Sequence, residues 1–125
     1  ADVRRRPGAA VATVLRFESI EIYCMPLPEG GLMCRLGAPG DQPERVNDGY
    51  YPSADLGFLW LRWVDGRLAC SGMIRDGVID RGQLDALLEH IDARALRSDH
   101  QIDYQVVFVS ALATHVESGE ESLRF

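Results

Sequence analysis

Histidine and cysteine are the residues of this chain with the most adaptable chemistry, and there are three of each. His90, His100 and His115 form no pair at a metal-ligand spacing such as i, i+4, and no cysteine lies near one in sequence, so no metal site is expected. Asp99-His100 with Asp103 is the place where a carboxylate can orient an imidazole for acid–base work. Cys70 or Ser110 would then be the nucleophile, if folding brought either near. Asp76-Gly77-Val78-Ile79-Asp80 matches the middle of a calcium loop, but placing Gly77 at the sixth position puts Gly72 first, Ile74 third and Gln83 twelfth. Calcium needs oxygen ligands at those positions and a bidentate glutamate at the last, so the match fails. Gly37-Ala38-Pro39-Gly40 lacks the lysine and the following helix of a phosphate loop. No cofactor is expected, and nothing amounts to a catalytic signature.

Composition narrows the classes further. At 125 residues and 46% hydrophobic, the chain suits one domain that buries about two thirds of its unfolded surface. Every basic residue is arginine, as in a GC-rich bacterial genome, and acids outnumber them for a formal charge of −6. Nucleic acid binding needs a basic stripe, and only Arg4-Arg5-Arg6 makes a run, so no nucleic acid partner is expected. That run with Gly8-Ala9-Ala10-Val11-Ala12 has the outline of a signal peptide, but the apolar run is too short. No stretch approaches the roughly 20 apolar residues of a membrane span. Cys24, Cys34 and Cys70 sit among apolar neighbours and are expected reduced and buried. Cys24 and Cys34 are candidate cross-strand neighbours whose position permits a disulfide in an oxidising compartment; none is expected. A cytoplasmic protein without a membrane segment is the expectation.

The elements that would position these residues can be read from periodicity. Residues 1–8 are expected to be disordered, and 9–125 to form a single α+β domain. Ala9 to Leu15 is ambiguous between a short helix and a strand. Ile20, Ile22 and Cys24 alternate with Glu21 and Tyr23, and Leu32, Cys34 and Leu36 alternate with Met33 and Arg35, which makes a hairpin turned by Pro26, Pro28, Gly30 and Gly31. A tighter hairpin spans Phe58 to Ile74, because Asp65-Gly66 suits a type I′ turn between two apolar runs. That turn pairs Val64 with Arg67, Trp63 with Leu68, Arg62 with Ala69, Leu61 with Cys70 and Trp60 with Ser71. One face then collects Leu59, Leu61, Trp63, Leu68, Cys70 and Ile74, and is core. The other collects Phe58, Trp60, Arg62, Val64, Arg67, Ala69, Ser71 and Met73, too aromatic for an ordinary wet face and too charged for an ordinary core.

Asp80 with Gln83 three residues later is a capping box opening an amphipathic helix over residues 80–96, whose apolar stripe is Leu84, Leu87, Leu88, Ile91 and Ala95. Tyr104 to Leu112 reads as a central strand buried on both sides, and Glu117 to Ser122 as a polar tail. The sum is an antiparallel sheet of about five or six strands with the helix on one face. Between the hairpins, Gly37 to Gly57 reads as a loop without periodicity that carries Asp41, Glu44, Asp48, Asp55, Tyr50 and Tyr51.

The leading expectation is a non-catalytic protein-binding module of the inhibitor, immunity-protein or secretion-chaperone type, acting on a basic protein partner. Tyr50, Tyr51, Trp60 and Arg62 would anchor that partner, and Asp41, Glu44, Asp48 and Asp55 would steer it. Phe58, Val64 and Met73 with Trp60 form a candidate dimer patch, since apolar patches of several hundred Å² are rare on monomers. Two alternatives stand beside it: a small oligomeric enzyme with an interfacial site using His100, Asp99 and Tyr50 or Tyr51, and a purely structural homodimer.

Overall fold

The computed structural model describes residues 13–40, 44–46, 49–52, 55–98 and 101–110, with the backbone alone for 44–46 and 49–51. Within them the chain forms β1 (Thr13–Phe17), β2 (Ile20–Leu27), β3 (Gly31–Gly37), β4 (Glu44–Val46), β5 (Gly49–Tyr51), β6 (Gly57–Val64), β7 (Arg67–Arg75), α1 (Arg81–Ile91) and β8 (Ile102–Val109). A six-stranded sheet has the order β1-β2-β3-β6-β7-β8, and β4 pairs with β5 in a separate two-stranded ribbon. The architecture is α+β, with one helix packed on the larger sheet.

Local chemistry explains the two best-defined pieces. Asp65 and Gly66 both take positive φ, 53° and 78°, as a type I′ turn requires, and the β6–β7 register follows from it: Val64 opposite Arg67, Leu61 opposite Cys70, Trp60 opposite Ser71. At the start of α1, the Asp80 carboxylate accepts from the Gln83 amide at 2.9 Å, and the Gln83 side-chain oxygen accepts from the Asp80 amide at 2.8 Å. Two orphan donors are thereby satisfied reciprocally. The Gln83 side chain also donates to Glu18 at 2.6 Å, which ties the helix start to the β1–β2 turn.

The helical region is not uniform. After Ile91 the backbone widens into a π-helical segment, Asp92–Leu96, ended by Arg97 at φ 56°. Asp92 is buried there and accepts from the Ser98 amide at 2.8 Å and the Ser98 hydroxyl at 2.7 Å. Leu84, Leu87, Leu88 and Ile91 of α1 close onto Ile22, Leu36, Leu59, Leu61, Leu68, Ile74 and Val106. This is the main core.

Three expectations are corrected. The strand expected in the middle of the sheet is an edge strand: β8 has a sheet neighbour only in β7 among the described residues, and pairs with it in parallel. Its apolar run is continuous because one set of side chains packs under α1 while the other lines an open face, where Val107 is 50% exposed. The segment between the hairpins is not structureless, since it contains the β4–β5 ribbon. Trp63, on the core side by register, is 38% exposed and stands outside the buried core cluster. The ambiguous start resolves as a strand from Thr13. The expected disorder of 1–8 and the polar tail at 117–122 lie outside the described residues, and no helix among those described is long and apolar enough to cross a membrane.

Candidate functional site

Among the described residues, the second face of the sheet is divided between a covered half and an open half. Tyr23 in β2 and Phe58 in β6 belong to this face by register, yet they are only 2% and 6% exposed. The segment joining β3 to β6 accounts for this. The Gly40 amide donates to the Glu21 carboxylate and β5 lies against β2, so the described part of the segment folds back over β2. Its return is pinned by the Leu56 amide donating to the Leu36 carbonyl at 3.0 Å and the Arg75 amide to the Leu56 carbonyl at 2.9 Å. Arg16 at 2.7 Å and the Tyr23 hydroxyl at 2.9 Å also donate to Glu21, and Arg16 foremost holds that carboxyl below its ordinary range.

Over β6, β7 and β8 no described segment covers the face. A groove of about 630 Å³ is lined by Arg62, Ala69, Ser71, Met73, Asp103, Gln105 and Val107. Trp60 stands beside it, half-buried, with the Arg62 guanidinium 4.7 Å from the centre of its ring, a separation at which the cation is attracted to the ring face. At the rim Arg67 pairs with Asp103 at 2.6 Å. Both side chains are largely solvated, so that pair contributes little stability. The floor is apolar and small, and its walls carry an aromatic ring, a thioether and charged or amide tips, the mixture that gives protein interfaces their anchors.

The expected site residues divide accordingly. Trp60, Arg62 and Met73 converge on the groove or its edge. Phe58 shares their face but is covered by the chain itself, so it supports the patch from below and is not offered at the surface. Val64 is 41% exposed at the hairpin tip. Asp55 is half-buried with Arg35 and Arg75 nearby; burial is the main influence on its carboxyl and raises its pKa, and its Oδ1 is buried without a hydrogen-bond partner among the described residues. It is therefore turned toward the protein. Glu44, Tyr50 and Tyr51 are placed in β4 and β5 by backbone alone. Asp41, Asp48, Asp99 and His100 lie outside the described residues. Gln105 and Val107 were missed as site residues, and Asp103 was considered only as a partner for His100. The signal that finds all three is the strand–helix–strand order, which places β8 parallel beside β7.

The described groups with adaptable chemistry can be taken one by one. Burial pushes the Cys70 thiol up to about 12, which leaves almost no thiolate near neutral pH. His90 lies edge-on to Phe17 with ring centroids 5.4 Å apart, and burial foremost, then Arg94, lowers its pKa. Among the described residues no group of three or more histidine, cysteine or acidic side chains is arranged to hold a metal ion. Comparison with protein-family models, curated proteins and solved structures finds no match for this chain.

Proposed function

We propose that this chain is a non-catalytic protein-binding module whose partner docks on the open half of the sheet, over β6, β7 and β8. The observation that carries the proposal is the groove beside Trp60 and Arg62, which no described segment covers, while Tyr23 and Phe58 on the same face are buried. A protein partner fits better than a small metabolite because the opening is a broad, shallow-sided sheet surface with a half-buried tryptophan and a stacked arginine, residue types that dominate interface energetics. A formal charge of −6, with Asp41, Glu44 and Asp48 close together in sequence between β3 and β6, favours a basic partner. A second copy of the chain is the competing occupant, since Val64 and Val107 are exposed beside the groove.

The test uses immobilised parent chain, Trp60→Ala and Arg62→Ala to capture a partner from the source lysate, followed by binding kinetics with the captured protein. Trp60→Ala should weaken binding by about 2 kcal/mol, mostly through faster dissociation. Neutralising Asp41, Glu44 and Asp48 together should slow association and flatten its salt dependence. Folded variants that bind like the parent overturn the choice of face. Sedimentation showing a dimer that Trp60→Ala dissociates replaces the protein partner by a second copy.

A further inference from the structure

One pair of side chains in the core has a reactivity that partner binding does not use. Cys24 in β2 and Cys34 in β3 are register partners, both fully buried, and the Cys34 thiol donates to the Cys24 Sγ at 3.7 Å. Directly opposed residues of antiparallel strands have Cα atoms about 4.5 to 5.5 Å apart, inside the range of about 4.4 to 6.8 Å that a disulfide spans. The two sulfurs need only side-chain rotation to approach the bonding distance of about 2.05 Å. Cys70 is not an equivalent partner. It lies in β7, two strands from Cys34 across β6, and two strand spacings of about 4.8 Å exceed the reach of a disulfide.

We propose that Cys24 and Cys34 are a latent disulfide: a thiol-oxidation site that closes while the β2–β3 hairpin is open to solvent and is sealed when the core packs over it. The oxidant is a low-molecular-weight disulfide of the glutathione class. One cysteine thiolate attacks a sulfur of that molecule, forming a mixed disulfide and releasing one small thiolate; the second cysteine, having lost its proton to solvent, attacks the protein sulfur and releases the other. The protein gives up two protons and two electrons, and the oxidant becomes two small thiols. In the folded chain the first step is blocked, because both sulfurs are enclosed by core side chains that include Ile22, Leu36 and Leu59, with no room for the oxidant. The hydrogen bond to Cys24, together with burial, raises the Cys34 pKa and reinforces the block. Oxidation therefore records the conditions in which the chain folds more than those it meets afterwards.

The experiment refolds the full chain from reduced, denatured protein in a buffer of reduced and oxidised glutathione, and exposes already folded chain to the same buffer. Both samples are then denatured, alkylated and mapped by mass. The refolded chain should be lighter by two hydrogens, with alkyl label on Cys70 alone and the link mapped to Cys24 and Cys34, and its melting temperature should rise. The folded chain should acquire the same link at least about tenfold more slowly, because it must first open locally. A lasting glutathione adduct, a link to Cys70, or no loss of hydrogens on refolding overturns the pairing. Oxidation at equal rates in both samples overturns the sealing. These readouts are made on the parent chain, so the conclusion does not depend on whether a cysteine variant folds.

Discussion

Leu61 and Trp60 are neighbours in β6, yet they belong to two faces that the molecule treats differently. On Leu61's side the sheet is closed by an eleven-residue helix whose stripe of leucines and isoleucine leaves Ile22, Leu36, Leu59 and Ile74 without exposed surface. On Trp60's side the cover is an irregular segment whose two strands are three residues each, and its described part lies against β2 and is pinned at Leu36 and Arg75. A helix closes a face because its apolar stripe is as long as several strands are wide; a short ribbon closes only what lies beneath it. Among the described residues the covers are unequal, and over β6, β7 and β8 they leave apolar and aromatic side chains accessible.

The largest test of this contrast sets the two neighbours against each other. Leu61→Ala removes buried methyl groups from a site with no solvent access and should destabilise the chain by about 3 kcal/mol. Trp60→Ala deletes a larger side chain but one that is only half-buried, and should cost about 1.5 kcal/mol in the isolated chain. Urea unfolding of both variants, compared at equal slope, measures the difference. A Trp60 loss that matches or exceeds that of Leu61 would mean that the second face is a closed core, and the contrast would fail.

A smaller effect comes from the helix that makes the closed face closed. Asp80→Ala removes the acceptor for the Gln83 amide and should cost about 1 kcal/mol. Because Gln83 also holds Glu18, amide exchange should quicken in the first turn of α1 and at the β1–β2 turn, and remain unchanged along β8. Equal acceleration across all three regions would show that the helix start is not a local lock.

What was legible in the sequence follows the same division. Asp65-Gly66 set the β6–β7 register residue by residue, and Asp80 with Gln83 set the helix start, because both are local signals read over a few positions. The edge position of β8 was not legible from its own residues. Val106 and Phe108 pack with the core while Val107 is exposed, so the run is apolar on both sides for different reasons. The β4–β5 ribbon escaped because three-residue strands carry no measurable periodicity, although Asn47-Asp48-Gly49 is a turn signal between them. Of the candidate site, Trp60, Arg62 and Met73 were legible through strand alternation; the β8 side of the groove required the crossover. Asp55 read as a displayed acid because a sequence does not show which way a loop carboxylate turns.

That carboxylate provides the smallest and most specific test of the irregular cover. Asp55 sits where the covering segment returns to β6; its carboxylate accepts from the Gly57 amide, and Arg35 and Arg75 lower its pKa, but burial outweighs them and the net shift is upward from the ordinary 3.8. A carboxyl with a raised native pKa takes up its proton in the folded chain before it does so in the unfolded one. Its contribution to stability is therefore full below 3.8 and is lost as pH rises through the raised native value. Asp55→Asn cannot titrate, so the variant should gain melting temperature relative to the parent between acid and neutral pH, with most of the change just above 3.8. Melting curves of both chains across that window decide the matter. A difference that stays flat would mean that the carboxylate is solvated or balanced by the two arginines, and that the segment over β2 is a looser cover than the burial of Tyr23 and Phe58 implies.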